Sequence, residues 1–277
     1  MPEGDILRRT ARTMGTALIG ATLVRADLRW PSAAAVDLTG RTVTGVHSYG
    51  KHLLIRFDDD RTLHTHLRMD GSWRLARTGE AGAAGRGGFV RAVLGTARWT
   101  AIGNRLGMLD VVATRDEHTL LGHLGPDILA ADFPTEGLGE TLRRWSTRGA
   151  TPVGEVLIDQ TVVAGIGTLY MAESLFARGI WPWTPADQIA DPATLLMTAC
   201  TLMQRSVADD APMSSRPGGR GQAAWVHSRS GRPCSRCGTT IEVGPVRQPP
   251  RERPAVFGPQ CQPAPDAQAP CLQSPGR

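Results

Sequence analysis

Apolar positions recur at two different spacings in the first 113 residues. Ile6, Leu7, Ala11 and Met14 recur at roughly helical spacing, which predicts a short helix at the start of the chain. Between residues 16 and 113 short apolar runs are divided by Gly, Asp or Asn turns and predict β-strands: TALIGATLV, KHLLIRF, TLHTHL, VRAVLG and MLDVVA. Several strands without intervening helices favour an antiparallel sandwich or barrel. The Gly- and Ala-rich stretch 78–88 predicts a flexible hairpin loop.

From about Asp127 the pattern becomes helical, first over Leu138 to Trp145 and then in the runs VGEVLIDQ, TLYMAESLF and ATLLMTACTLM. The composition of residues 212–223, PMSSRPGGRGQA, predicts a mobile loop. The fold class is therefore α+β and multidomain. Its predicted parts are a β-sandwich domain at 1–126, a helical domain at 127–224, a cysteine-bearing segment at 225–262 and a disordered tail at 263–277.

Composition narrows the class of protein. The 277 residues suffice for two or three domains, and 41% are hydrophobic. The net charge of +5 fits a polyanionic partner without requiring one. The sequence has no apolar run near the ~18 residues of a membrane span, and no apolar stretch typical of a signal peptide follows the start. We therefore expect a cytoplasmic protein without a membrane partner.

The chain begins Met1-Pro2-Glu3-Gly4. Removal of Met1 would leave Pro2 as a free secondary amine beside a carboxylate. An α-amino group titrates near ~7.7–8.0, against ~10.4 for lysine, so much more of it is free base at neutral pH. Such an amine can attack an aldehyde or the anomeric carbon of a sugar and form an iminium. By themselves these residues also fit an ordinary exposed terminus.

A second candidate feature is the turn Gly165-Ile166-Gly167 between two amphipathic segments. Glycine permits positive φ and the close approach of another backbone. The helix after the turn is predicted to begin around Thr168, a permissible N-cap, and its unpaired N–H groups could hold a phosphate. The pattern alone is more typical of an ordinary helical hairpin.

Several motifs, in the same order over residues 1 to about 262, resemble the formamidopyrimidine-DNA glycosylase / endonuclease VIII family, nearer the endonuclease VIII branch. They are MPEGD at 1–5, GKH at 50–52, HTHLRMDGSW at 64–73, LGPD at 124–127, the helical segment 156–176 and WVHSRSGRPCSRCG at 225–238. The helical segment resembles the family's helix–two-turn–helix. Thr168 stands where the family has an asparagine that contacts backbone phosphate, which puts that contact in doubt.

The resemblance implies a bifunctional DNA glycosylase and abasic-site lyase of base excision repair. It would act as a monomer on damaged double-stranded DNA, remove oxidised bases, pyrimidines above all, and nick by successive eliminations. Pro2 would be the nucleophile, Glu3 would manage protons on the opened sugar, and Lys51 would be an acid and phosphate contact. Without the resemblance, Lys51 reads as a surface lysine. Two alternatives stay open: a damage-binding protein of low turnover, and a glycosylase that prefers oxidised purines.

The run His64-Thr65-His66-Leu67-Arg68-Met69 carries two histidines, which strand alternation places on one face. No third ligand is evident, so we do not predict a metal there. The resemblance implies that this loop fills the gap left by a flipped nucleotide. Met69 would then be a wedge, Arg68 would lie near the DNA and His66 would help to hold the site; His123, with Gly165, Gly167 and Thr168, would contact DNA too. Core packing of Met69 is the equal alternative.

Cys234 and Cys237 form half of a zinc site by their spacing. The family has a second such pair within a β-hairpin, but here Gly258 replaces its first cysteine and Cys261 remains. We expect Cys234, Cys237 and Cys261 as ligands of a structural zinc. The fourth position is open among Cys271, a weaker three-ligand site and a hairpin without metal. The fifth cysteine, at position 200 in an apolar helical context, is predicted to be a buried thiol.

The resemblance also places Arg253 at the tip of this zinc-finger-like hairpin, where it would hold phosphate and assist the second elimination. Arg251 is a neighbouring rival. The surrounding sequence, PPRERPAV, is richer in proline than a hairpin favours, because proline removes donors from the ladder. A distorted hairpin should weaken DNA affinity and the second elimination before it affects covalent attack.

Overall fold

The computed structural model describes residues 2–209 and 224–265. The predicted mobile loop at 212–223, most of the predicted tail, and Cys271 lie outside the described residues. The chain divides into two compact units, Met1–Phe133 with Val163–Gly165, and Pro134–Val162 with Ile166–Arg277. Among the described residues, no helix is both long and apolar enough to cross a membrane.

Helix α1 (Gly4–Leu18) confirms the helix predicted at the start of the first unit. Its buried positions Leu7, Ala11, Met14 and Leu18 recur every three or four residues and join the core of this unit. The helix extends into the run 16–24, which was wrongly predicted to be a strand throughout. Because Leu18 continues the buried stripe of Met14 by four residues, helical burial prevails there.

Two four-stranded antiparallel sheets form the rest of the first unit, in the orders β2-β3-β4-β8 and β1-β6-β7-β5. The strands are β1 (Arg25–Leu28), β2 (Val43–Tyr49), β3 (His52–Phe57), β4 (Arg61–His66), β5 (Ser72–Arg77), β6 (Val90–Gly95), β7 (Trp99–Asn104) and β8 (Met108–Ala113). Side chains of both sheets share one buried cluster with α1, which confirms the antiparallel sandwich.

The stretch 78–88 is not the hairpin loop that its composition predicted. It joins β5 to β6 through a 3₁₀ turn, Ala81–Ala84, but β5 pairs with β7 and not with β6. Strands β5 and β6 lie on opposite sides of β7. This arrangement depends on pairing between strands, which the glycine content of the connecting segment does not predict. Further along, a short helix α2 (His118–Leu121) follows β8.

The second unit is helical before it turns to a hairpin. Its elements are α3 (Leu138–Ser146), α4 (Val153–Leu157), α5 (Thr168–Arg178), α6 (Pro192–Ala208), β9 (Glu242–Val246) and β10 (Arg253–Phe257). The predicted helical segments are confirmed, although α4 covers only the first part of VGEVLIDQ. Asp191 caps α6 by accepting from the Thr194 backbone N–H at 2.9 Å. Cys200, on α6, is buried as predicted.

Glu173 links α5 to the segment that begins the cysteine region. Its carboxylate lies fully buried and accepts from the backbone N–H groups of Trp225, Val226 and His227 at 2.8, 2.9 and 2.8 Å. Burial raises the pKa of Glu173, while these three donors oppose that rise. One side chain on α5 thus fixes the backbone at the start of the cysteine region.

Candidate active site and cysteine cluster

Three separate parts of the first unit meet on the backbone of Val163–Gly165. The Gly4 N–H donates to the Gly165 carbonyl at 3.0 Å, which ties the N-terminal segment to it. The Ile128 N–H donates to the Ala164 carbonyl at 3.0 Å, and the Ala164 N–H donates to Pro126 at 2.9 Å. These bonds bring the motif LGPD and the start of α1 to one place.

The Gly50–Lys51 turn is the third part. It joins β2 to β3 as a two-residue turn, since Tyr49 pairs with His52. Gly50 has φ +53, and a Cβ added to it would lie 2.8 Å from the Ala164 Cβ. Only glycine lets this turn approach Ala164 so closely. The sequence therefore needs Gly50 to bring Lys51 beside the Val163–Gly165 backbone.

Pro2 and Glu3 precede α1 at this place. Glu3 is buried, with 2% of its surface exposed, and its carbonyl accepts the first helical bonds from Ile6 and Leu7 at 3.0 and 3.3 Å. Pro2 is half-buried. Gly4 and Gly50 both contact the backbone segment Val163–Gly165, so the Pro2–Glu3 pair and the Lys51 turn lie next to the same segment. A terminus held in this way differs from the ordinary exposed terminus that was the alternative.

Asp127 is a buried carboxylate in this assembly whose part the sequence did not reveal. It pairs with Arg8 of α1 at 3.0 Å and accepts from the Leu129 N–H at 3.0 Å. Burial raises its pKa, although hydrogen bonds from the Leu129 and Gly50 backbones and the Arg8 charge oppose the rise. Asp127 thus connects α1, the Lys51 turn and the LGPD segment. Its place in the LGPD motif was the available signal.

His64 and His66 lie on one face of the sheet, as strand alternation predicted. His52 and Asp110 lie on the same face, and sequence reasoning missed both. The His52 Nδ1 and His64 Nε2 atoms are 2.7 Å apart, and His64 Nδ1 is 3.3 Å from an Asp110 oxygen. Burial, with positive neighbours, lowers the pKa of His52 to about 3 and that of His66 to about 4. Only the strand register reveals this cluster.

The loop after β4 exposes the two side chains that were predicted to meet DNA. Arg68 is exposed and has φ +52, while 61% of the Met69 surface is exposed. Core packing of Met69, the alternative interpretation, is therefore wrong. The His66 ring holds the loop, because its Nδ1 accepts from the Arg68 N–H at 2.9 Å. His123 is exposed just after α2.

Helix α5 begins at Thr168, as predicted, but Thr168 is not its N-cap. Gly167 takes that position with extended backbone angles, and its carbonyl accepts from the Met171 N–H at 3.0 Å. Thr168 is the first helical residue and is 9% exposed. Gly165, in the first unit, has φ +113, so the turn uses the conformational freedom of this glycine.

The cysteine cluster in the second unit brings together the three predicted thiols. The sulfur atoms of Cys234, Cys237 and Cys261 all lie within 4.8 Å of one another, an arrangement that can hold a metal ion. A Cβ added to Gly258 would lie 3.7 Å from the Cys261 Cβ, so Gly258 occupies the place next to the cluster where the fourth ligand is missing. The buried Gln262 instead accepts from the Gly258 N–H at 3.0 Å and stabilises this turn.

The thiols differ in their protonation. Burial and the neighbouring sulfur atoms raise the pKa of Cys261 to about 12. Burial also opposes ionisation of Cys237, but hydrogen bonds from Thr239 outweigh it and lower the pKa of that thiol. Three thiolates at this distance repel one another, and a divalent cation would relieve the repulsion as protons leave.

The proline-rich hairpin forms despite its composition. Pro245 in β9 stands opposite Pro254 in β10, and the Pro245 carbonyl accepts from the Trp183 indole at 2.8 Å, away from β10. In an antiparallel pair of strands, every second pair of opposite residues directs its backbone N–H and C=O groups away from the partner strand. Prolines at such positions remove no hydrogen bond between β9 and β10, so two are tolerated there. Arg253 is the exposed first residue of β10 and pairs with Val246, so it lies at the base of the connecting loop and not at the tip where it was predicted. Arg251 lies within that loop.

The two antiparallel sheets, the helical segments and the cysteine hairpin together define the formamidopyrimidine-DNA glycosylase fold. A solved structure of Lactococcus lactis Fpg (MutM) in a complex with N7-benzyl-Fapy-dG containing DNA superimposes with a TM-score of 0.78 at 24% identity, covering 95% of this chain and 100% of that one. In sequence, residues 1–106 match the formamidopyrimidine-DNA glycosylase N-terminal domain and residues 124–216 match its H2TH domain.

Relatives of known name cover nearly the whole chain. "Probable endonuclease 8 2" of Streptomyces coelicolor is 43% identical over 96% of this chain and 95% of its own length. "DNA-(apurinic or apyrimidinic site) lyase Nei2" of Mycolicibacterium smegmatis is 36% identical over 88% of this chain and 93% of its own. A formamidopyrimidine-DNA glycosylase of Teredinibacter turnerae is 31% identical over 95% and 98%. The chain belongs to the formamidopyrimidine-DNA glycosylase / endonuclease 8 family.

Proposed function

We propose that this protein is a bifunctional DNA glycosylase and abasic-site lyase of base excision repair, with oxidised pyrimidines as its favoured lesions. The observation that carries the proposal is the meeting of the Pro2–Glu3 segment and the Lys51 turn on the backbone of Val163–Gly165. An amine, a buried carboxylate and an ammonium are the groups that displacement at a sugar carbon and later elimination require.

In the proposed reaction, removal of Met1 frees the Pro2 nitrogen, which attacks C1′ of a flipped nucleotide. The glycosidic bond breaks and the base leaves with a proton. The C1′–O4′ bond then opens, O4′ takes up a proton, and the Pro2 nitrogen, which has lost its own proton, is joined to C1′ as an iminium. Glu3 manages protons on the opened sugar, and Lys51 donates a proton and neutralises phosphate charge. The iminium then accepts the electrons of a C2′–H bond as the 3′ phosphate leaves. A second elimination releases the 5′ phosphate.

The proposed partner is damaged double-stranded DNA. Met69 and Arg68 are exposed on a loop of positive backbone angle, which suits a wedge and a cation that enter the gap beside a flipped nucleotide. His66 holds that loop and His123 adds a second imidazole. In the second unit, the backbone at the start of α5 would bind phosphate and Arg253 would reach the DNA from the hairpin. Gly167 and Thr168 form the start of this helix, and Gly165, which belongs to the first unit, lies in the turn before it.

We infer that the cysteine cluster holds a structural zinc ion through Cys234, Cys237 and Cys261. Closed structural zinc sites take four ligands. The fourth ligand stays open: Cys271 could complete the set, three thiolates could bind zinc more weakly, or the hairpin could fold without metal. When bound, the metal would fix the β9–β10 hairpin and take no part in the chemistry at Pro2.

Borohydride trapping tests this function. The protein is mixed with duplexes that carry an abasic site, an oxidised pyrimidine or an oxidised purine, and the adduct is reduced. We expect an adduct that Pro2→Gly weakens, although the variant keeps a terminal amine. Glu3→Gln should impair base removal.

The panel of lesions then separates the alternatives. Adducts chiefly with oxidised purines would reverse the proposed lesion preference. Tight, salt-sensitive binding of the abasic duplex without adduct or nicking would indicate a damage-binding protein and not an enzyme. Undiminished strand cleavage by Pro2→Gly would refute Pro2 as the nucleophile.

A further inference from the structure

Three histidines and a carboxylate lie on the face of the β2-β3-β4-β8 sheet that is turned away from the shared core. In the register His52 pairs with His66, and His64 pairs with Asp110. The opposite face presents Leu53, Leu63 and Leu109 to the core. His64 is only 1% exposed, which is unusual for a polar ring outside the main core. A buried imidazole of this kind needs partners at both nitrogens.

Both nitrogens of His64 have such partners. Its Nδ1 is 3.3 Å from the Asp110 carboxylate, and its Nε2 is 2.7 Å from His52 Nδ1. A carboxylate only accepts hydrogen bonds, so the His64 proton lies on Nδ1 and the Nε2 atom is an acceptor. His52 must then donate from its Nδ1, which leaves a lone pair on its Nε2. Asp110 therefore determines the tautomer of two rings in succession.

His66 is fixed in the opposite sense. Its Nδ1 accepts from the Arg68 backbone N–H at 2.9 Å, so the neutral ring carries its proton on Nε2. The His52 and His66 rings meet edge to face, with centroids 4.9 Å apart. Burial and the positive neighbours lower the pKa of His52 and of His66, which keeps both rings neutral at physiological pH. The contact between the His52 and His66 rings thus connects the hydrogen-bonded residues Asp110, His64 and His52 to the loop of Arg68 and Met69.

His52 is also the residue directly after Lys51. It is the first residue of β3 and pairs with Tyr49 across the two-residue turn, so the position of its ring bears on the backbone that presents Lys51. A side chain with a free choice of tautomer or rotamer there would loosen the turn, since catalytic groups tolerate displacements of only about 0.5 Å.

We propose that Asp110, His64 and His52 form a positioning chain that holds Lys51 for catalysis and, through the His52–His66 ring contact, orders the loop that carries Arg68 and Met69. This inference rests on the proposed function. None of the three is a catalytic residue, because each acts only through Lys51 and through the loop.

Asp110→Asn is the informative substitution. Asp110 is partly exposed, so the change should be tolerated in folding, and an amide can either accept from or donate to His64. The direction of the hydrogen bonds from Asp110 through His64 to His52 would then no longer be determined. In long-range proton–nitrogen NMR spectra we expect the wild-type His52 and His64 to carry their protons on Nδ1, and the variant to show mixed tautomers.

Single-turnover cleavage of an abasic duplex measures the catalytic consequence. We expect Asp110→Asn to slow strand cleavage by about tenfold, the order seen when an orienting partner is removed. Affinity for a duplex with an uncleavable abasic analogue should stay within about twofold, since binding energy is spread over phosphate contacts. Asp116→Asn, which alters a carboxylate that pairs with the exposed Arg115, is the matched control and should change neither quantity.

A double-variant cycle identifies Lys51 as the group through which the chain acts. In a Lys51→Ala background, Asp110→Asn should slow cleavage much less than it does in the wild type, because the side chain to be positioned is gone and only the effect on the loop of Arg68 and Met69 remains. The proposal is overturned if the tautomers are unchanged, if cleavage by Asp110→Asn stays within twofold of wild type, or if the slowing persists in full without Lys51. A wild-type protein that neither nicks nor traps would instead refute the proposed function, and with it this role, whatever the NMR spectra show.

Discussion

At the scale of single residues, burial decides the protonation of the side chains around the candidate active site. Burial lowers the pKa of His52 to about 3, and repulsion by Lys51 and by any proton on the neighbouring His66, His64 or His123 adds to the effect. Burial acts in the other direction on carboxyl groups, because it always disfavours the charged form. A neutral histidine cluster beside a lysine is the result. The spacing along the sequence places His64 and His66 on one face but does not show that His52 and Asp110 join them.

This pKa has a consequence for stability in acid. An unfolded His52 titrates near 6.5, so the unfolded chain takes up a proton below that pH more readily than the folded one. The contribution of His52 is complete above pH 6.5 and is lost as the pH falls toward 3. Between pH 7 and pH 5 the unfolding free energy of the wild type should fall by about 2 kcal/mol more than that of His52→Gln.

Urea unfolding at the two pH values measures this difference. Asp127 and Glu173, whose pKa values burial raises, are present in both proteins, so their opposite pH dependence cancels in the comparison. The exposed His118, changed to Gln, is the control and should leave the pH dependence of the wild type intact. Equal losses for wild type and His52→Gln would show that His52 titrates normally.

At the scale of elements, the β2–β3 turn brings Lys51 into place through a contact that only glycine allows. Gly50→Ala would add strain at φ +53 and force a Cβ to 2.8 Å from Ala164. Gly40 has φ +80 with no atom within 4 Å of an added Cβ, so Gly40→Ala carries the strain without the clash. We expect a loss of about 1 kcal/mol for Gly40→Ala and about 3 kcal/mol for Gly50→Ala.

Thermal unfolding and trapping of the abasic duplex together test this prediction. Gly50→Ala should reduce trapping as well as stability, because the turn moves away from Val163–Gly165, whereas Gly40→Ala should trap normally. If the two variants were equally stable and equally active, the close approach of the turn to Ala164 would have no energetic weight.

The β9–β10 hairpin depends on the cysteine cluster in a comparable way. We expect about one zinc per chain in the purified protein, measured by elemental analysis. Cys261→Ser should lose the metal and destabilise the hairpin, since one of the three clustered thiolates is removed. Cys200→Ala, which removes a buried thiol on α6 outside the cluster, should keep it.

Cys271→Ser decides the fourth ligand. Loss of zinc in this variant would show that Cys271 in the tail is the fourth thiolate ligand. Retention of zinc would show that three thiolates suffice. Retention of zinc by Cys261→Ser would remove Cys261 from the ligand set altogether. In each case chelator competition gives the affinity independently of DNA cleavage.

At the scale of the whole molecule, the charge of the chain bears on its proposed partner. The net charge is +5, with 31 Lys and Arg residues against 26 Asp and Glu residues. Each phosphate that a cation neutralises releases counterions, so affinity for DNA falls as salt rises. Neutralisation of three phosphates or more should weaken binding of an abasic duplex by about fortyfold or more between 50 and 200 mM salt.

Fluorescence anisotropy with a labelled abasic duplex measures this slope. Arg68→Gln should reduce the steepness if that exposed side chain meets phosphate, whereas the exposed Arg115 changed to Gln should have no effect. A salt-independent affinity would be incompatible with a DNA-binding surface of this kind.

Features that depend on neighbouring residues were predictable from the sequence alone. The helix at the start, the series of strands, the later helices and the half-site at Cys234 and Cys237 all follow from local spacing, because a residue's own conformation and its nearest neighbours set these patterns. The motifs in order also identified the family and the candidate roles of Pro2, Glu3 and Lys51. Local spacing was wrong where a longer-range contact prevailed, as at residues 16–18 and in the stretch 78–88.

Only the tertiary structure decided which distant residues meet. The chain from Asp110 through His64 to His52 depends on the register of three strands, and the approach of Gly50 to Ala164 joins positions more than a hundred residues apart. The exposure of Met69 and the pairing of Arg8 with Asp127 likewise depend on what the rest of the chain leaves open or covers. Periodicity reports which face of an element is apolar, but the partner of that face is set by packing, which no local pattern encodes.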